Sequence, residues 1–330
     1  MKRSRRRKKN KTAYFFIILC IVAVILIITP LVILKFNNGP GNETGQRREP
    51  VASIPSAFNN ISIGATSAYV YDVAEKKVLY QKDADQSLPL ASLTKIMTAV
   101  TAADIAPAGT VVTINRDDFI PDGDGTNGLY VDEKWNLLDL LKFTLVVSSD
   151  DGAAAVSEAL GSPQNADGQT SRDDFVSMMN ETAAKLGLRE MQFNNETGLD
   201  VSATTAGAYG SAKDVSELLM YAMTHYPSII DVTGDPTIAE TSLSGLSHFG
   251  QNTDILSTNI PNLIASKTGY TDLAGGNLAV AFDAGLEHPI IVVVLDSTYD
   301  GRFADVNTLV QAAIKSVSNN TTPEQSPQQS

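Results

Sequence analysis

Stretches of strand-like and helix-like patterning follow one another in a definite order along these 330 residues. TSAYVYDV and KKVLYQKD are β-rich and predict two strands around a turn at Ala74–Glu75. A helix carrying SLTKIMTAV comes next, and then a polar segment rich in Asp and Gly, INRDDFIPDGDGTNG. WNLLDLLKFTLVV has apolar residues at helical spacing, and DDGAAAVSEALG, RDDFVSMMNETAAKLGL and KDVSELLMYAMTHY predict further helices. The last third changes character. NLIASKTGY, NLAVAFDA and PIIVVVLDS are short β-rich runs separated by turn-like TDLAGG and GLEH, and RFADVNTLVQAAIKSV predicts a closing helix. This order predicts one α+β domain over residues 61–317, an antiparallel sheet of about five strands flanked by helices, with an all-helical subdomain inserted. There is no internal repeat.

The two ends of the chain read differently. AYFFIILCIVAVILIITPLVIL, Ala13 to Leu34, is 22 residues without a charge. About 20 apolar residues cross a bilayer as a helix, so residues 13–35 predict a transmembrane helix. A cleavable signal peptide has a shorter apolar region and small residues at its cut site, and neither is present. The preceding segment, 1–12, holds eight Lys or Arg and no acid. That side is expected in the cytoplasm, and everything after Lys35 outside, in the single-pass orientation that basic flanks impose. Residues 36–60, with NNGPGNETGQRREP, predict a solvated tether, and 318–330, ending TPEQSPQQS, a disordered tail.

Charge and cysteine usage narrow the function. The net charge of −12 becomes −20 without the basic N-terminus, so the folded part is strongly acidic and nucleic-acid binding is excluded. Cys20 is the only cysteine and lies in the apolar stretch, so no intrachain disulfide is available and the exported domain must rely on its core.

Three short elements carry candidate chemistry. Ser92 and Lys95 lie three apart on a helical pattern and therefore face the same way. Serine is a poor nucleophile until a base takes its proton, and a buried lysine can be that base. By itself S-x-x-K arises by chance roughly once in a chain of this length. The second element is Lys267-Thr268-Gly269 in a strand: a lysine and a threonine hydroxyl together can hold a carboxylate, and glycine lets another backbone or a ligand come close. The third is LVVSSDDGAAAV, where Ser148 at a helix–helix junction can relay a proton, although Ser and Asp there also suit simple helix capping.

Together, S-x-x-K, an S-x-N-like element and K-T-G in that order resemble the signature of penicillin-binding proteins and serine β-lactamases. More narrowly, the chain resembles the low-molecular-weight D-alanyl-D-alanine carboxypeptidases of the S11 peptidase family, from about Thr66 to Arg302. LPLASLTKIMTA, LVVSSDDGAAA, FNNETGLD, GSAKDVSELLMYAM and ASKTGYTDLAGGNLAVA carry the resemblance. It implies a β-lactamase/DD-peptidase-like fold and a serine-type D-Ala-D-Ala carboxypeptidase acting on peptidoglycan stem peptides. Ser92 would attack the carbonyl between the two terminal D-alanines, with Lys95 as general base and Ser148 passing the proton to the leaving group. Lys267 and Thr268, with Gly269 beside them, would bind the terminal carboxylate, and the backbone N–H groups of Ser92 and Tyr270 would form the oxyanion hole. β-Lactams would be trapped on Ser92. No metal and no organic cofactor is implied.

Two departures stand out. The S-x-N asparagine is Asp150 if Ser148 is the motif serine; the register Ser149-Asp150-Asp151 also ends in aspartate, and Asp151-Gly152-Ala153 matches the family's D-A-A better in the first. Aspartate only accepts hydrogen bonds when ionised, and beside Lys95 it favours the ammonium, the wrong form for a base. Glu196 in NETGLD stands where the family has proline, with an expected effect confined to its loop. Many members carry a β-rich second domain and a C-terminal membrane helix; neither is expected after Val317, the anchor being N-terminal here. A β-lactamase is disfavoured because no E-x-x-L-N segment follows the middle motif. A D-alanyl endopeptidase and a non-hydrolytic penicilloyl sensor or cell-wall binding protein stay open. His225, His248 and His288 lie far apart without ligand spacing, and DGDGTNG lacks the glutamate that closes an EF-hand loop.

Overall fold

The computed structural model describes residues 55–120, 128–162, 170–285 and 287–321. The basic segment, the expected spanning helix with Cys20, most of the tether and most of DGDGTNG lie outside them. Among the described residues, no helix is long and apolar enough to cross a membrane.

Strands β1 (Ser67–Asp72) and β2 (Lys77–Lys82) form the expected hairpin. Asp72 Oδ1 fixes its turn by accepting the Glu75 N–H at 2.9 Å. β3 (Leu88–Pro89) leads through a 3-10 turn, Ala91–Leu93, into helix α1 (Thr94–Ile105). The middle of the chain holds β4 (Val111–Thr113), β5 (Lys134–Asn136), α2 (Leu137–Val147), α3 (Asp150–Leu160) and α4 (Ser171–Leu186). β6 (Gln192–Phe193), β7 (Ala208–Gly210), α5 (Ala212–His225), α6 (Pro227–Ile230), β8 (Thr237–Thr241) and β9 (Ser247–Gln251) follow. β10 (Leu263–Thr271), β11 (Gly275–Asp283), β12 (Pro289–Ser297) and α7 (Gly301–Thr321) close the fold.

The main sheet runs β10-β11-β12-β1-β2, antiparallel throughout. The near-continuous apolar runs of β11 and β12 have a simple cause: both sheet faces are covered. Leu278, Val280 and Phe282 pack with Val306, Leu309 and Val310 of α7 on one face. Ala279, Ala281, Ile291 and Val293 point the other way, into a larger core with Met97, Trp135, Phe143 and Phe175 from the helical part. Alternate residues thus serve two cores, as the period of two requires.

Three expectations need correction. The inserted part is not all-helical: β4 pairs with β5, and β8 with β9 in a hairpin. The burial of Ile238, His248 and Gly250 between exposed neighbours is the period-two pattern that makes β8 and β9 strands. The folded part begins before Ile61, because Phe58 is buried against Tyr80, ring centroids 5.7 Å apart. At the other end, α7 continues past Val317 to Thr321; Ser316 is still buried, and Ser318 donates to Ile314 Oγ-to-carbonyl at 2.9 Å in the helical i−4 pattern.

Candidate active site

Ser92 lies in the 3-10 turn rather than on α1 itself. Successive i, i+3 side chains eclipse in a 3-10 turn, and Lys95 Nζ comes within 2.8 Å of Ser92 Oγ. The turn is strained. Ala91, fully buried, has φ +47°, a left-handed conformation uncommon for a non-glycine residue and often found at functional sites. Thr94 Oγ1 holds it by donating to Ala91 O at 2.7 Å.

Two glycines let the surrounding chain close on this turn. A Cβ on Gly269 would lie 2.9 Å from Leu90 O and 3.1 Å from Ser92 N, so strand β10 approaches the nucleophile's backbone only because residue 269 has no side chain. Gly198, at φ +85°, would put a Cβ 1.9 Å from Ala91 O.

Lys95 is 1% exposed and makes three polar contacts. Besides Ser92 Oγ, they are Asp150 Oδ1 at 2.6 Å and the Thr197 carbonyl at 3.0 Å. Thr98 Oγ1 donates to the Glu196 carbonyl at 2.6 Å and so ties the Glu196–Thr197 loop to α1. Glu196 reaches further than its own loop: its buried carboxylate pairs with Arg172 on α4.

The junction of α2 and α3 settles the middle motif. Ser148 caps α2 at φ 60°, ψ 36°, and this left-handed residue turns its hydroxyl into the cleft, where Lys267 Nζ donates to it at 2.8 Å. Ser149 instead caps α3, accepting the Gly152 N–H at 3.0 Å. Asp150 opens α3 and faces Lys95, in the positive field of a helix N-terminus. Asp151 points away and accepts the Ile120 N–H at 2.8 Å; burial pushes its carboxyl above the ordinary range. Ser148-x-Asp150 is therefore the pair that faces the cleft.

On the opposite wall, Lys267 is 2% exposed and also donates to Thr268 O at 2.9 Å. Thr268 Oγ1 is 2.6 Å from Thr253 Oγ1. β10 is an edge strand against the Ala91–Leu93 turn, so alternate backbone groups face the turn instead of β11. Tyr270 is exposed at the mouth, edge-on to Tyr299 at 5.0 Å. Beyond it a cavity of about 670 Å3 opens, lined by Phe119, Arg172, Thr197, Asp200 and Tyr270 among others.

All eight residues expected from the sequence thus lie on the two walls of one cleft. Sequence reasoning missed Arg302, Thr253 and the Thr197 carbonyl. Arg302 Nη1 donates to Gly269 O at 2.9 Å while its guanidinium stacks over Tyr299 and Phe303. It reaches the motif from α7 with no spacing signal to announce it. Among the described residues no group of three or more His, Cys, Asp or Glu is placed to hold a metal. His248 pairs with Glu133 at 2.6 Å, His288 with Asp72 at 2.7 Å, and His225 stacks on Tyr221.

The chain has clear relatives. It is 28% identical over 274 residues to the D-alanyl-D-alanine carboxypeptidase DacF of Bacillus subtilis, covering 78% of this chain and 66% of that protein. A D-alanyl-D-alanine endopeptidase of Pseudomonas aeruginosa is 27% identical over 238 residues, 71% of this chain and 72% of that one. The match to DacF therefore spans just under two thirds of that protein's length. Penicillin-binding protein D2 of Listeria monocytogenes, solved with ampicillin bound, superposes with a TM-score of 0.64 at 27% identity, over 77% of this chain and 98% of that one. The sequence pattern of the peptidase S11 family, D-alanyl-D-alanine carboxypeptidase, matches residues 53–298, and the chain belongs to that family.

Proposed function

We propose that this chain is a serine-type D-Ala-D-Ala carboxypeptidase that removes the terminal D-alanine of peptidoglycan stem peptides through an acyl-enzyme on Ser92. The observation that carries the reading is the 2.8 Å contact between Ser92 Oγ and a buried lysine amine, opposite Lys267 and Thr268. The Lys95 amine has three N–H donors when charged, and Ser92 Oγ, Asp150 Oδ1 and the Thr197 carbonyl take them. Passing one of these protons to Asp150 within the pair leaves a lone pair for the Ser92 hydroxyl proton.

Ser92 Oγ attacks the carbonyl carbon of the penultimate D-alanine and its proton passes to Lys95 Nζ. Asp150 then faces the ammonium so formed. The backbone N–H groups of Ser92 and Tyr270 receive the oxyanion. As the tetrahedral intermediate collapses, the C–N bond breaks, Ser148 hands its proton to the departing D-alanine amine and takes a replacement from the Lys95 ammonium, which is thereby returned to the amine. Water hydrolyses the ester, with Lys95 again taking its proton. Lys267, bonded to Ser148, supplies the positive charge that draws the substrate's carboxylate into the cleft. β-Lactams stop at the ester and act as covalent inhibitors; the ampicillin-bound Listeria relative supports this. The basic residues 1–12 and the uncharged stretch within 13–35 support a single-pass membrane anchor with the catalytic domain outside the cell.

The Lys95–Asp150 pair also favours a second reading, a penicilloyl sensor that acylates without turning over. D-Alanine release from a diacylated peptide ending in D-Ala-D-Ala separates the two. Release by the wild type and none by Ser92→Ala is the expected result. Covalent labelling by a β-lactam with no D-alanine released would favour the sensor, and Asp150→Asn would then be expected to start turnover.

A further inference from the structure

Thr253 is named by no motif, yet its hydroxyl lies 2.6 Å from that of Thr268. Its backbone ties two parts of the cleft together, because the Thr253 N–H donates to Val146 O at 3.3 Å, two residues before Ser148. The loop is fixed from behind. Asn252 Nδ2 donates to the carbonyls of Thr233 and Asp235 at 2.7 and 2.9 Å, and Asn252 Oδ1 accepts the Asp254 N–H at 2.9 Å. Thr233 in turn is bonded to Ser266 of β10 at 3.0 Å. Thr253 is therefore held in register with the strand that carries Lys267 and Thr268, not left on a free loop.

Two adjacent hydroxyls without a ligand satisfy each other: one donates, and the other has its proton to spare. A carboxylate brings two acceptor oxygens and no donor. Placed against the pair, it exchanges one hydroxyl–hydroxyl bond for two charge-assisted bonds, each stronger than a neutral one. We propose that Thr253 is a second hydroxyl for the substrate's terminal carboxylate, making the cleft selective for peptides whose last residue is a free acid. This deepens the carboxypeptidase reading and rests on it.

The surroundings are consistent with an anion at this point. Asp254, next in the chain, is fully buried, and its Oδ2 has no hydrogen-bond partner. Burial pushes its carboxyl above the ordinary range, against the pull of Arg302 and Lys267 and the hydrogen bond from Leu256. Lys267 and Arg302 both act on this carboxyl, so the wall carries cationic groups that favour an anion at this point.

The test compares Thr253→Val and Thr253→Ser on paired substrates, one ending in D-Ala-D-Ala as the free acid and one as the terminal carboxamide. Thr253→Val is expected to lower kcat/KM for the acid roughly ten-fold, mostly through KM, with little change for the amide. Thr253→Ser is expected to restore the wild-type ratio. Equal losses on both substrates would reduce Thr253 to a structural clasp, and no loss on the acid would remove it from the site; either outcome overturns the proposal. Acylation by benzylpenicillin and by its methyl ester gives the same comparison without D-alanine release. If the wild type releases none, the carboxypeptidase reading fails while this pair still tests the hydroxyl.

Discussion

On the helical wall of the cleft, Lys95 is bonded to a carboxylate, a hydroxyl and a carbonyl. On the strand wall, Lys267 is bonded to a hydroxyl and a carbonyl, and burial pushes the nearby carboxyl of Asp254 above the ordinary range. The same side chain is thus set up for two tasks. The Lys95–Asp150 pair is close to neutral as a unit, so moving a proton within it or to Ser92 changes little charge in a buried place. Lys267 keeps a positive field for an anionic substrate. Proton handling belongs to the helical wall and substrate attraction to the strand wall.

The strongest way to break this contrast is to remove one member of the buried pair. Lys95→Ala leaves Asp150, 1% exposed, without its cation. Breaking a buried ion pair from one side costs about 3–5 kcal/mol, and acylation by a β-lactam is expected to vanish as well. Lys95→Ala with Asp150→Ala should recover most of the stability and none of the acylation. Urea unfolding followed through Trp135, the only tryptophan and fully buried, measures the first; covalent β-lactam labelling measures the second. A single variant as stable as the wild type would show that the pair is not held by charge, and the contrast with Lys267 would collapse.

A subtler variant separates position from charge. Gly269→Ala leaves every ionisable group in place, but its Cβ must sit 2.9 Å from Leu90 O and 3.1 Å from Ser92 N. Both neighbours are backbone atoms, so β10 and the nucleophile's turn have to part by a few tenths of an ångström. Misplacement on the scale of 1 Å costs about a hundred-fold, so a loss of about ten-fold in the acylation rate constant is expected, together with a lowered melting temperature because the atoms that must move are backbone. An unchanged rate would mean that the close approach of the walls is packing alone.

The two walls were also unequally legible in the sequence. Ser92-x-x-Lys95 and Lys267-Thr268-Gly269 are contiguous letters, and each places its side chains through one local element, so both could be named. The middle motif could not be assigned from its letters, because Ser148 and Ser149 are adjacent and either can cap a helix. Only the left-handed backbone at Ser148 sends one hydroxyl to Lys267 and leaves the other on Gly152. Arg302 and Thr253 were out of reach for another reason. They meet the Lys-Thr-Gly strand across 33 and 15 residues of chain, and nothing in their own neighbourhoods encodes that meeting. The β8–β9 hairpin escaped because its buried positions, Ile238, His248 and Gly250, are not a run of strong apolar residues. The sheet's central strands were plain because two cores demand apolar residues at nearly every position.

The smallest effect concerns the acids behind the helical wall. Asp118 is 1% exposed, and its carboxyl is pushed up to about 6, chiefly by burial and also by Glu158, against the Asn115 hydrogen bonds and Arg172. The folded state therefore holds a proton that the unfolded chain, with an ordinary value of 3.8, has already released. Where the folded state binds more protons, stability falls as pH rises, here between about pH 4 and pH 6. Asp118→Asn removes that dependence while its amide oxygen can still accept the Asn115 N–H. The melting temperature of the variant relative to the wild type should therefore climb by about 2–4 °C from pH 4 to pH 7. A difference that stays flat would mean that Asp118 ionises without cost in the fold. Burial on this side of the helical part would then not oppose charge, and the stability contrast with the exposed acids would vanish.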